Sequence, residues 1–537
     1  MASSREKGRI ERRGVPVSVG ADSPANTGEA GAISSTKPCG FWQFGMMGNF
    51  YMRVVRTVLA IVFMGAGVVG SVSADESARR RFVEMAVGDL SAVHQLIASS
   101  HPGAIDQENK NFTDWVEKGY RQASQLALRV SSQRDAQAVL GFYISGFKDG
   151  HVGVYPARAA KSSWAGFMVD MRGEGFVVTR VAKAWPVPLP PVGSSIISCD
   201  GKAVRKILAD ELSPYVDRRL DLTSTWRHLA RHLTVDDADA PVLARKRASN
   251  CVGFLASGVQ QNFALSWQED DGQLKDVLTQ PQPPQALNNL GGGRYWVHAS
   301  NFALSAADNA ALEQMLDTLR HIEGAKLVVL DTRGNRGGNS LVGARILSAL
   351  LGEAFVESLG QSSHSYAMWR VSPLALATLD SALASMQGNH EKNSDAYTFV
   401  SGMRESMNAA LVGKEDWLRQ PDTSSLDQGR VKDSKPGRFK GQLVLVTDSF
   451  CASACLDFAD AVLAVPGATH FGLSTSGDTL YIDIGSQALP SGAQFWLPLK
   501  VWRGRVRGNN QSYDPRYSFD GDINDTSAVQ QWVLGYF

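Results

Sequence analysis

The chain has 537 residues, more than one compact hydrophobic core organises, so two or three domains are expected. Hydrophobic residues make up 44% of the sequence and charged residues 20%, the composition of an ordinary globular protein. The formal net charge is +1, and no basic block is interleaved with aromatic residues. Composition and charge therefore give no support to a nucleic acid or an acidic membrane as partner.

The N-terminal part has the pattern of a targeting segment. Residues 1–51 are rich in Ser, Gly and Arg and show no apolar periodicity. Met52 is followed by two arginines, an apolar run at 58–69 and a Val-Ser-Ala ending, which is typical of a secretory signal and short for a membrane span. We predict a leader at 1–74 with its signal peptide at 52–74, Met52 as the true start, and a periplasmic or secreted protein without a stable membrane span. An uncleaved N-terminal anchor is the alternative.

Four of the five cysteines lie beyond this leader, and an exported protein can form disulfides. Cys199 and Cys251 are a plausible pair within one domain. Cys451 and Cys455 are four residues apart, and because a bridge across one helical turn is geometrically awkward, two packed thiols are an equal alternative. No His or Cys pair has the spacing of zinc ligands, so neither a metal site nor a cofactor is predicted.

Residues 75–160 have the apolar stripes of amphipathic helices and form a predicted N-terminal helical segment. It ends at the turn Asp149-Gly150, which leaves His151 between two elements, where its side chain can project. A structural or surface role is the simpler interpretation of a single histidine.

Residues 161–270 are rich in β-prone residues. Strands are predicted at 166–170 and 175–181, and a hairpin turn at Asp200-Gly201. The order resembles a PDZ-like module, which grips an extended peptide by strand addition, whereas a generic β-domain is the alternative.

The C-terminal part, residues 271–537, has an α/β pattern. Residues 281–293, rich in Pro, Asn and Gly, are predicted to be a linker, and residues 353–440 a polar, largely helical insertion. A buried strand at 326–331 runs into a glycine-rich turn and a helix, an arrangement that lets backbone amides approach an anion or a carbonyl oxygen. The glycine spacing does not match nucleotide-binding motifs.

A second strand, turn and helix follow at 441–462. The run at 443–446 predicts a buried strand, and helical spacing begins at Ala454, so Ser453 lies at a helix N-terminus. A serine there either caps the helix or acts as a nucleophile, because the N–H groups of the helix end can stabilise an oxyanion.

Three separated motifs carry a family resemblance: DTRGNRGG at 331–338, CASAC at 451–455 and KDGHV at 148–152. Together they resemble the tail-specific (C-terminal processing) serine peptidases, and the last motif is similar to their tricorn-core-like branch. The resemblance implies a multi-domain α/β fold. It consists of a ClpP/crotonase-like core, an N-terminal helical segment and a PDZ-like β-rich domain.

The resemblance also implies roles. Ser453 would be the nucleophile of a serine endopeptidase acting on a peptide or protein, and His151 its general base. The N–H groups of Gly337, Gly338 and Ala454 would form the oxyanion hole. No lysine occurs between residues 454 and 498, where Ser476-Gly477-Asp478-Thr479 stands instead, so a Ser–Lys dyad is not expected.

The third catalytic residue departs from the family pattern. In place of the branch's glutamate, the C-terminal loop offers Asn509, Asn510 and Asp514, so an amide, Asp514 or a degenerate triad completes the site. Two other classes remain as alternatives: an inactive relative that binds peptides or apolar ligands, and a crotonase-like acyl-CoA enzyme. Oligomerisation is left open.

Overall fold

The structure, a computed structural model, describes residues 74–157, 161–278, 285–359, 365–388, 392, 394–421 and 439–537. The predicted signal peptide and the preceding residues, except Ala74, lie outside this part of the chain. Among the described residues, no helix combines the length and the apolar character needed to cross a membrane.

The helices belong to all parts of the chain. The α-helices are α1 (Ala74–Ser100), α2 (Lys110–Ala127), α3 (Gln133–Ser145), α4 (Val204–Ile207), α5 (Thr223–Thr234), α6 (Gln273–Leu278), α7 (Ala306–Arg320), α8 (Ser340–Leu351), α9 (Glu353–Leu359), α10 (Pro373–Gly388), α11 (Asp395–Val412), α12 (Ala454–Leu463) and α13 (Thr526–Leu534). A 3₁₀ turn at Pro102–Ala104 and a π-helical turn at Leu208–Leu212 supplement them.

The strands form four sheets. In chain order they are β1 (Gly153–Tyr155), β2 (Ser163–Trp164), β3 (Phe167–Arg172), β4 (Gly175–Val181), β5 (Ser195–Cys199), β6 (Lys202–Ala203), β7 (Val235–Asp236), β8 (Asn250–Phe254), β9 (Gln260–Ala264), β10 (Gln268–Glu269), β11 (Ala286–Gly291), β12 (Arg294–His298), β13 (Leu327–Asp331), β14 (Tyr366–Arg370), β15 (Trp417–Arg419), β16 (Gln442–Thr447), β17 (Thr469–Gly472), β18 (Tyr481–Ala488), β19 (Gln494–Arg503) and β20 (Tyr517–Ser518). The predicted mixed α/β fold is confirmed.

The central sheet has the order β11-β12-β13-β16-β17-β20 and is parallel from β12 onward. β13 and β16 are runs of Val and Leu that are buried throughout their apolar part, as expected of strands covered on both faces. Helices α7, α8 and α12 pack on one face, and α13 packs on the other. Because β13 and β16 are parallel neighbours, the two turns that follow them lie at the same edge of the sheet.

A second sheet joins distant parts of the chain, with β1, β14 and β18 all paired to β19 and β15 paired to β14. It shares a hydrophobic core with helices α1–α3, α10 and α11. The predicted insertion at 353–440 is thus not only helical, since it supplies β14 and β15. In β14 every second side chain is buried, namely those of Ala367 and Trp369, and this two-residue periodicity is typical of a strand with one face on a core.

Residues 161–270 hold the six-stranded sheet β3-β4-β5-β8-β9, with β6 paired to β5, and a smaller one of β10, β2 and β7. The predicted strands are confirmed as β3 and β4, and the turn Asp200-Gly201 connects β5 to β6 with positive φ at both residues. The Cys199–Cys251 disulfide joins neighbouring positions of β5 and β8. The PDZ-like interpretation stays a prediction.

The predicted linker at 281–293 is wrong from Ala286 onward, because this stretch forms β11, the edge strand of the central sheet. Its Asn and Gly residues suggested a loop. The reversal itself needs only three residues, Gly291, Gly292 and Gly293, all of which have positive φ. Residues 279–284 lie outside the described part of the chain.

Candidate active site

The glycine-rich turn after β13 is anchored by a buried ion pair. The Arg333 guanidinium donates to both carboxylate oxygens of Asp331, at 2.8 and 2.7 Å, and also to the carbonyl of Ile523 at 2.6 Å. Arg333 is 5% exposed and Asp331 is 3% exposed. This buried arginine therefore connects the C-terminal region to the glycine-rich turn.

The two glycines of this turn permit close approaches that a side chain would block. Gly337 has φ +96°, and a Cβ atom added to it would lie 2.7 Å from Cβ of Ser453. Gly338 has φ +125°, and its added Cβ would lie 2.3 Å from the carbonyl carbon of Phe302. The turn is thus packed directly against the predicted nucleophile, and only glycine fits at either position.

Ser453 stands at the N-cap of α12 but does not act as a cap, because its side chain makes no capping hydrogen bond. Its backbone has φ +53° and ψ −124°, a conformation that L-residues rarely adopt. Backbone strain at a single serine between a strand and a helix is a feature of nucleophile turns.

The two ends of the CASAC motif are covalently linked, because Cys451 and Cys455 form a disulfide with Cα atoms 5.2 Å apart. The objection to a bridge across a helical turn does not apply, because α12 begins only at Ala454 and Cys451 lies in the preceding turn. Both cysteines are fully buried. The disulfide therefore closes a small loop around Ser453.

A buried carboxyl group connects the two turns. Asp448, which follows β16, accepts hydrogen bonds from the N–H of Gly334 at 2.8 Å and from the N–H of Phe450 at 2.9 Å. Burial raises the pKa of this carboxyl, although the two N–H donors oppose the shift. Asp448 thus fixes the glycine-rich turn relative to the nucleophile turn.

A single carboxylate oxygen connects Ser453 and His151. Oδ2 of Asp478 accepts a hydrogen bond from the N–H of Ser453 and lies 3.9 Å from Nε2 of His151. Asp478 is 5% exposed and His151 is 8% exposed. Residues 302 positions apart in sequence, Ser453 and His151, therefore both approach one carboxylate oxygen.

The other ring nitrogen of His151 faces a second carboxylate. Nδ1 lies 3.8 Å from Oδ1 of Asp149 and, within the described residues, has no hydrogen-bond partner. Asp149 also accepts from the N–H of His151 at 2.9 Å and from the hydroxyl of Thr479 at 2.9 Å. The turn that holds His151 is thereby fixed to the residue that follows Asp478.

Asp149 has a further buried partner in His101, whose Nε2 lies 3.1 Å from Oδ2 of Asp149. Burial lowers the pKa of His101, although the hydrogen bond to Asp149 opposes that shift. Burial alone would raise the pKa of Asp149, but the hydrogen bonds from the ring of His101 and from the N–H of His151 oppose this, and the pKa is lowered. The pair is an anionic carboxylate beside a neutral imidazole.

The residues predicted for the third catalytic position have other contacts. Oδ1 of Asn509 accepts from the N–H of Leu480 at 2.7 Å. The amide of Asn510 donates to the carbonyl of Lys148 at 2.9 Å. The backbone of Asp514 hydrogen-bonds the ring of His470. Within the described residues, none of the three forms a hydrogen bond or ion pair with His151, and their catalytic role stays a prediction.

Asp478 is the residue that sequence reasoning missed. It lies 25 positions after Ser453, in the stretch noted for its lack of lysine. An acidic residue in that stretch was the available signal.

The predicted oxyanion donors differ in their hydrogen bonding. The N–H of Gly337 already donates to Oδ1 of Asn335 at 2.8 Å. In the part of the chain that the structure describes, the N–H groups of Gly338 and Ala454 meet no acceptor. Gly338 and Ala454 therefore have N–H groups available for a ligand oxygen. Over the same residues, no group of three His, Cys, Asp or Glu side chains could hold a metal ion.

Comparisons with solved structures give the fold. The crystal structure of mature CPAF matches with a TM-score of 0.56 at 12% identity, over 84% of this chain and 96% of that chain. Mature CPAF complexed with lactacystin gives 0.56 at 13% identity, over 85% and 98%. The photosystem II D1 C-terminal processing protease matches with a TM-score of 0.34 at 13% identity, over 83% of this chain and 96% of that chain, which is too low to bear on the fold. At these identities the likeness bears on the fold alone.

No functionally curated protein matches the sequence significantly. The model of Peptidase family S41 matches residues 296–504, a region that contains both turns and Asp478 but not His151. The match at residues 296–504 therefore supports an assignment to Peptidase family S41 and to the serine-type peptidases.

Proposed function

We propose that the protein is an exported serine endopeptidase that hydrolyses peptide bonds through an acyl-enzyme on Ser453, with His151 as general acid and base. One observation carries this proposal. Oδ2 of Asp478 accepts a hydrogen bond from the N–H of Ser453 and lies 3.9 Å from Nε2 of His151, so the proposed nucleophile and base lie on either side of one carboxylate. Export rests on the signal pattern at residues 52–74.

In the first half-reaction, Oγ of Ser453 attacks the peptide carbonyl carbon while its proton passes to Nε2 of His151. The C–N bond then breaks, and His151 returns the proton to the leaving amine. In the second half-reaction, water attacks the ester carbon, gives its proton to His151, and Ser453 leaves with that proton. The carboxylic acid product is released.

The developing oxyanion needs donors close to Ser453. The N–H groups of Gly338 and Ala454 are suited to this, since neither has an acceptor in the described part of the chain. Loss of one such donor costs about 3 kcal/mol of transition-state stabilisation. Gly337 contributes its lack of a side chain, which allows the turn to approach Ser453.

The imidazolium formed on His151 needs negative charge nearby. Asp149 lies on the Nδ1 side at 3.8 Å and Asp478 on the Nε2 side at 3.9 Å. Both distances are longer than a hydrogen bond, so a small rotation of the ring on substrate binding would complete either contact. Asp149, which is fully buried, is the better candidate to orient Nδ1–H, as the acid of a Ser-His-Asp triad does.

The substrate is an extended peptide or protein segment. We propose that the β-rich part at 161–270 holds this segment in the manner of a PDZ-like module. The edge strand β3 has β4 as its only neighbour in that sheet, within the residues described, and is a candidate for strand addition.

Reaction of the mature protein with a fluorophosphonate, followed by peptide mass spectrometry, tests the nucleophile. We expect one adduct on Ser453, which is absent in Ser453→Ala and strongly reduced in His151→Ala. Ser449→Ala, a change of a serine in the same turn, is the matched control and should still be labelled. A folded protein that carries no adduct on Ser453 would refute the proposal.

The alternative is a silent relative that binds peptides on the same scaffold. Its specific support is that Nδ1 of His151 has no hydrogen-bond partner among the described residues. The same labelling experiment separates the two functions, because a silent site leaves Ser453 unmodified.

A further inference from the structure

Arg336 lies beside the predicted oxyanion turn and is not used in the mechanism. It directly precedes Gly337, the residue packed against Ser453, and its side chain is exposed. Its guanidinium carbon lies 4.6 Å from the centre of the Phe450 ring, which is itself 45% exposed. Phe450 belongs to the turn that leads to Ser453. The stacked pair therefore stands at the edge of the site and joins its two turns.

The guanidinium of Arg336 differs from the neighbouring arginines because no carboxylate neutralises it. Arg227 is paired with Asp170 at 2.5 Å, and Arg231 is paired with Asp237. Arg336 forms no ion pair and donates no side-chain hydrogen bond to any residue that the structure describes. Stacking on Phe450 occupies one face of the guanidinium and leaves its N–H edge free.

The surroundings compensate this positive charge only in part. Although Arg336 has an exposed surface, the protein packed around it lowers its pKa, the charge of Arg231 lowers it further, and the charge of Asp448 opposes both shifts. The nearby His228 has its pKa lowered to about 4 by burial and by Arg231, so it is neutral near pH 7 and adds no charge of its own. Burial raises the pKa of Asp448, the carboxyl closest along the chain to Phe450. Among the described residues, Arg336 thus has no ion-pair partner of its own.

A cavity lies beside the residues that follow His151. It has a volume of about 230 Å³ and extends from Val152–Val154 to His228 on α5. The rings of Tyr215 and Trp496 also line it.

We propose that Arg336 binds a carboxylate of the substrate close to the scissile bond, so that the peptidase prefers substrates with an acidic side chain at that position. The inference rests on the proposed function. The planar fork of a guanidinium matches the two oxygens of a carboxylate, and stacking on Phe450 fixes the plane of the fork before the substrate arrives. A peptide supplies carboxylates from two sources, which the experiment distinguishes.

The test begins with a peptide library from a digested proteome, in which mass spectrometry identifies the residues that flank each cleaved bond. Two pairs of fluorogenic peptides are then built on the best-cleaved sequence. One pair has Glu or Gln at the enriched position with an amidated C-terminus, and the other has a free or an amidated C-terminus. Wild type, Arg336→Gln and Arg336→Glu are compared. Arg345→Gln, which removes an exposed arginine paired with Glu313, is the matched control.

We expect wild type to favour the Glu peptide over the Gln peptide by about tenfold or more in kcat/KM. This ratio should fall to near one in Arg336→Gln, fall below one in Arg336→Glu, and persist in Arg345→Gln. A ratio seen only in the C-terminal pair would overturn the preference for an acidic side chain.

A ratio that Arg336→Gln leaves unchanged, in protein whose Ser453 still reacts with a fluorophosphonate, would overturn the carboxylate site and leave the proposed function intact. Absence of both labelling and cleavage would overturn the two together.

Discussion

Nε2 of His101 lies 3.1 Å from Oδ2 of Asp149, and both side chains are wholly shielded from solvent. The N–H of Gly103 donates to Nδ1 of His101 at 2.9 Å, so Nδ1 carries no proton and Nε2 does. Nε2–H therefore donates to Asp149, on the far side of the carboxylate from His151. The Phe112 ring stacks on His101 with centroids 4.3 Å apart and fixes its plane.

His101→Leu removes this donor. We expect the acid limb of the pH dependence of kcat/KM to move to higher pH by about one pH unit. The hydrogen bond holds the pKa of Asp149 low, so without it the carboxylate that faces His151 is protonated at a higher pH. His101→Gln can still donate an N–H and should restore the wild-type profile. If both variants lose activity equally at every pH, His101 has only a packing role.

Asp478 can be distinguished from the other candidates by three substitutions. Asp478→Asn keeps an oxygen that accepts from Ser453 but removes the charge beside His151, and we expect kcat to fall by about 100-fold or more. Asn509→Ala and Asp514→Ala should cost far less, because neither side chain contacts His151 in the described structure. Steady-state kinetics on folded variants decides the matter. Loss of activity in Asp514→Ala with Asp478→Asn unaffected would return the role to the C-terminal loop.

The two disulfides should have separable effects. Cys199 and Cys251 are 52 residues apart, and loss of their bridge should lower the free energy of unfolding by about 4 kcal/mol, against about 2 kcal/mol for the short Cys451–Cys455 loop. The short loop holds Ser453 at φ +53°, so the double change of Cys451 and Cys455 to Ala should slow labelling of Ser453 by about tenfold or more.

The controls compare both double variants in denaturant unfolding and in fluorophosphonate labelling. The Cys199→Ala/Cys251→Ala protein should be labelled at the wild-type rate while it is folded. An unchanged labelling rate without the Cys451–Cys455 bridge would show that the glycine turn alone positions Ser453.

Sequence reasoning reached the two turns because each is a local pattern: a buried strand, a short turn with Gly or small residues, and a helix. It could not assign the role of Asp478, since the position of that carboxylate depends on contacts with parts of the chain far away in sequence. Ser476 donates to the carbonyl of Cys451, and Asn510 donates to that of Asp478. Thr479 reaches Asp149, 330 positions earlier. The edge strand β11 was missed for the opposite reason, because its Asn and Gly residues have low strand propensity and only pairing with β12 makes it a strand.

Acid should destabilise the fold through its buried histidines. The pKa of His470 is lowered to about 4 by burial, which its hydrogen bond to Asp514 only partly offsets. The native state then binds fewer protons than the unfolded state between pH 4 and 6.5, so stability is lost as pH falls through this window. The shift corresponds to about 3 kcal/mol at most.

Urea unfolding at pH 7 and pH 4.5 measures this effect. His470→Gln should reduce the loss of stability between the two pH values, whereas His321→Gln, at an exposed histidine, should leave it unchanged. The pKa values of His101, His232 and His298 are also lowered by burial, so some loss should persist in every single variant. An identical loss in His470→Gln and wild type would contradict the assignment.

A buried ion pair crosses the second sheet, where Nζ of Lys500 lies 2.5 Å from Oδ2 of Asp483. Lys500 is 1% exposed and lies between the rings of Trp369 and Trp502, each 5.3 Å from Nζ. Lys500→Met leaves the carboxylate buried without its cation, and we expect a loss of about 3–5 kcal/mol in the free energy of unfolding.

The double variant Lys500→Met/Asp483→Asn should recover most of that loss, because removing the charge of Asp483 removes the desolvation cost that the lysine had offset. Lys202→Met breaks the exposed pair with Glu211 and should have little effect on stability. A double variant as unstable as Lys500→Met would mean that Lys500 stabilises the sheet through its contacts with the two tryptophans and not through its charge.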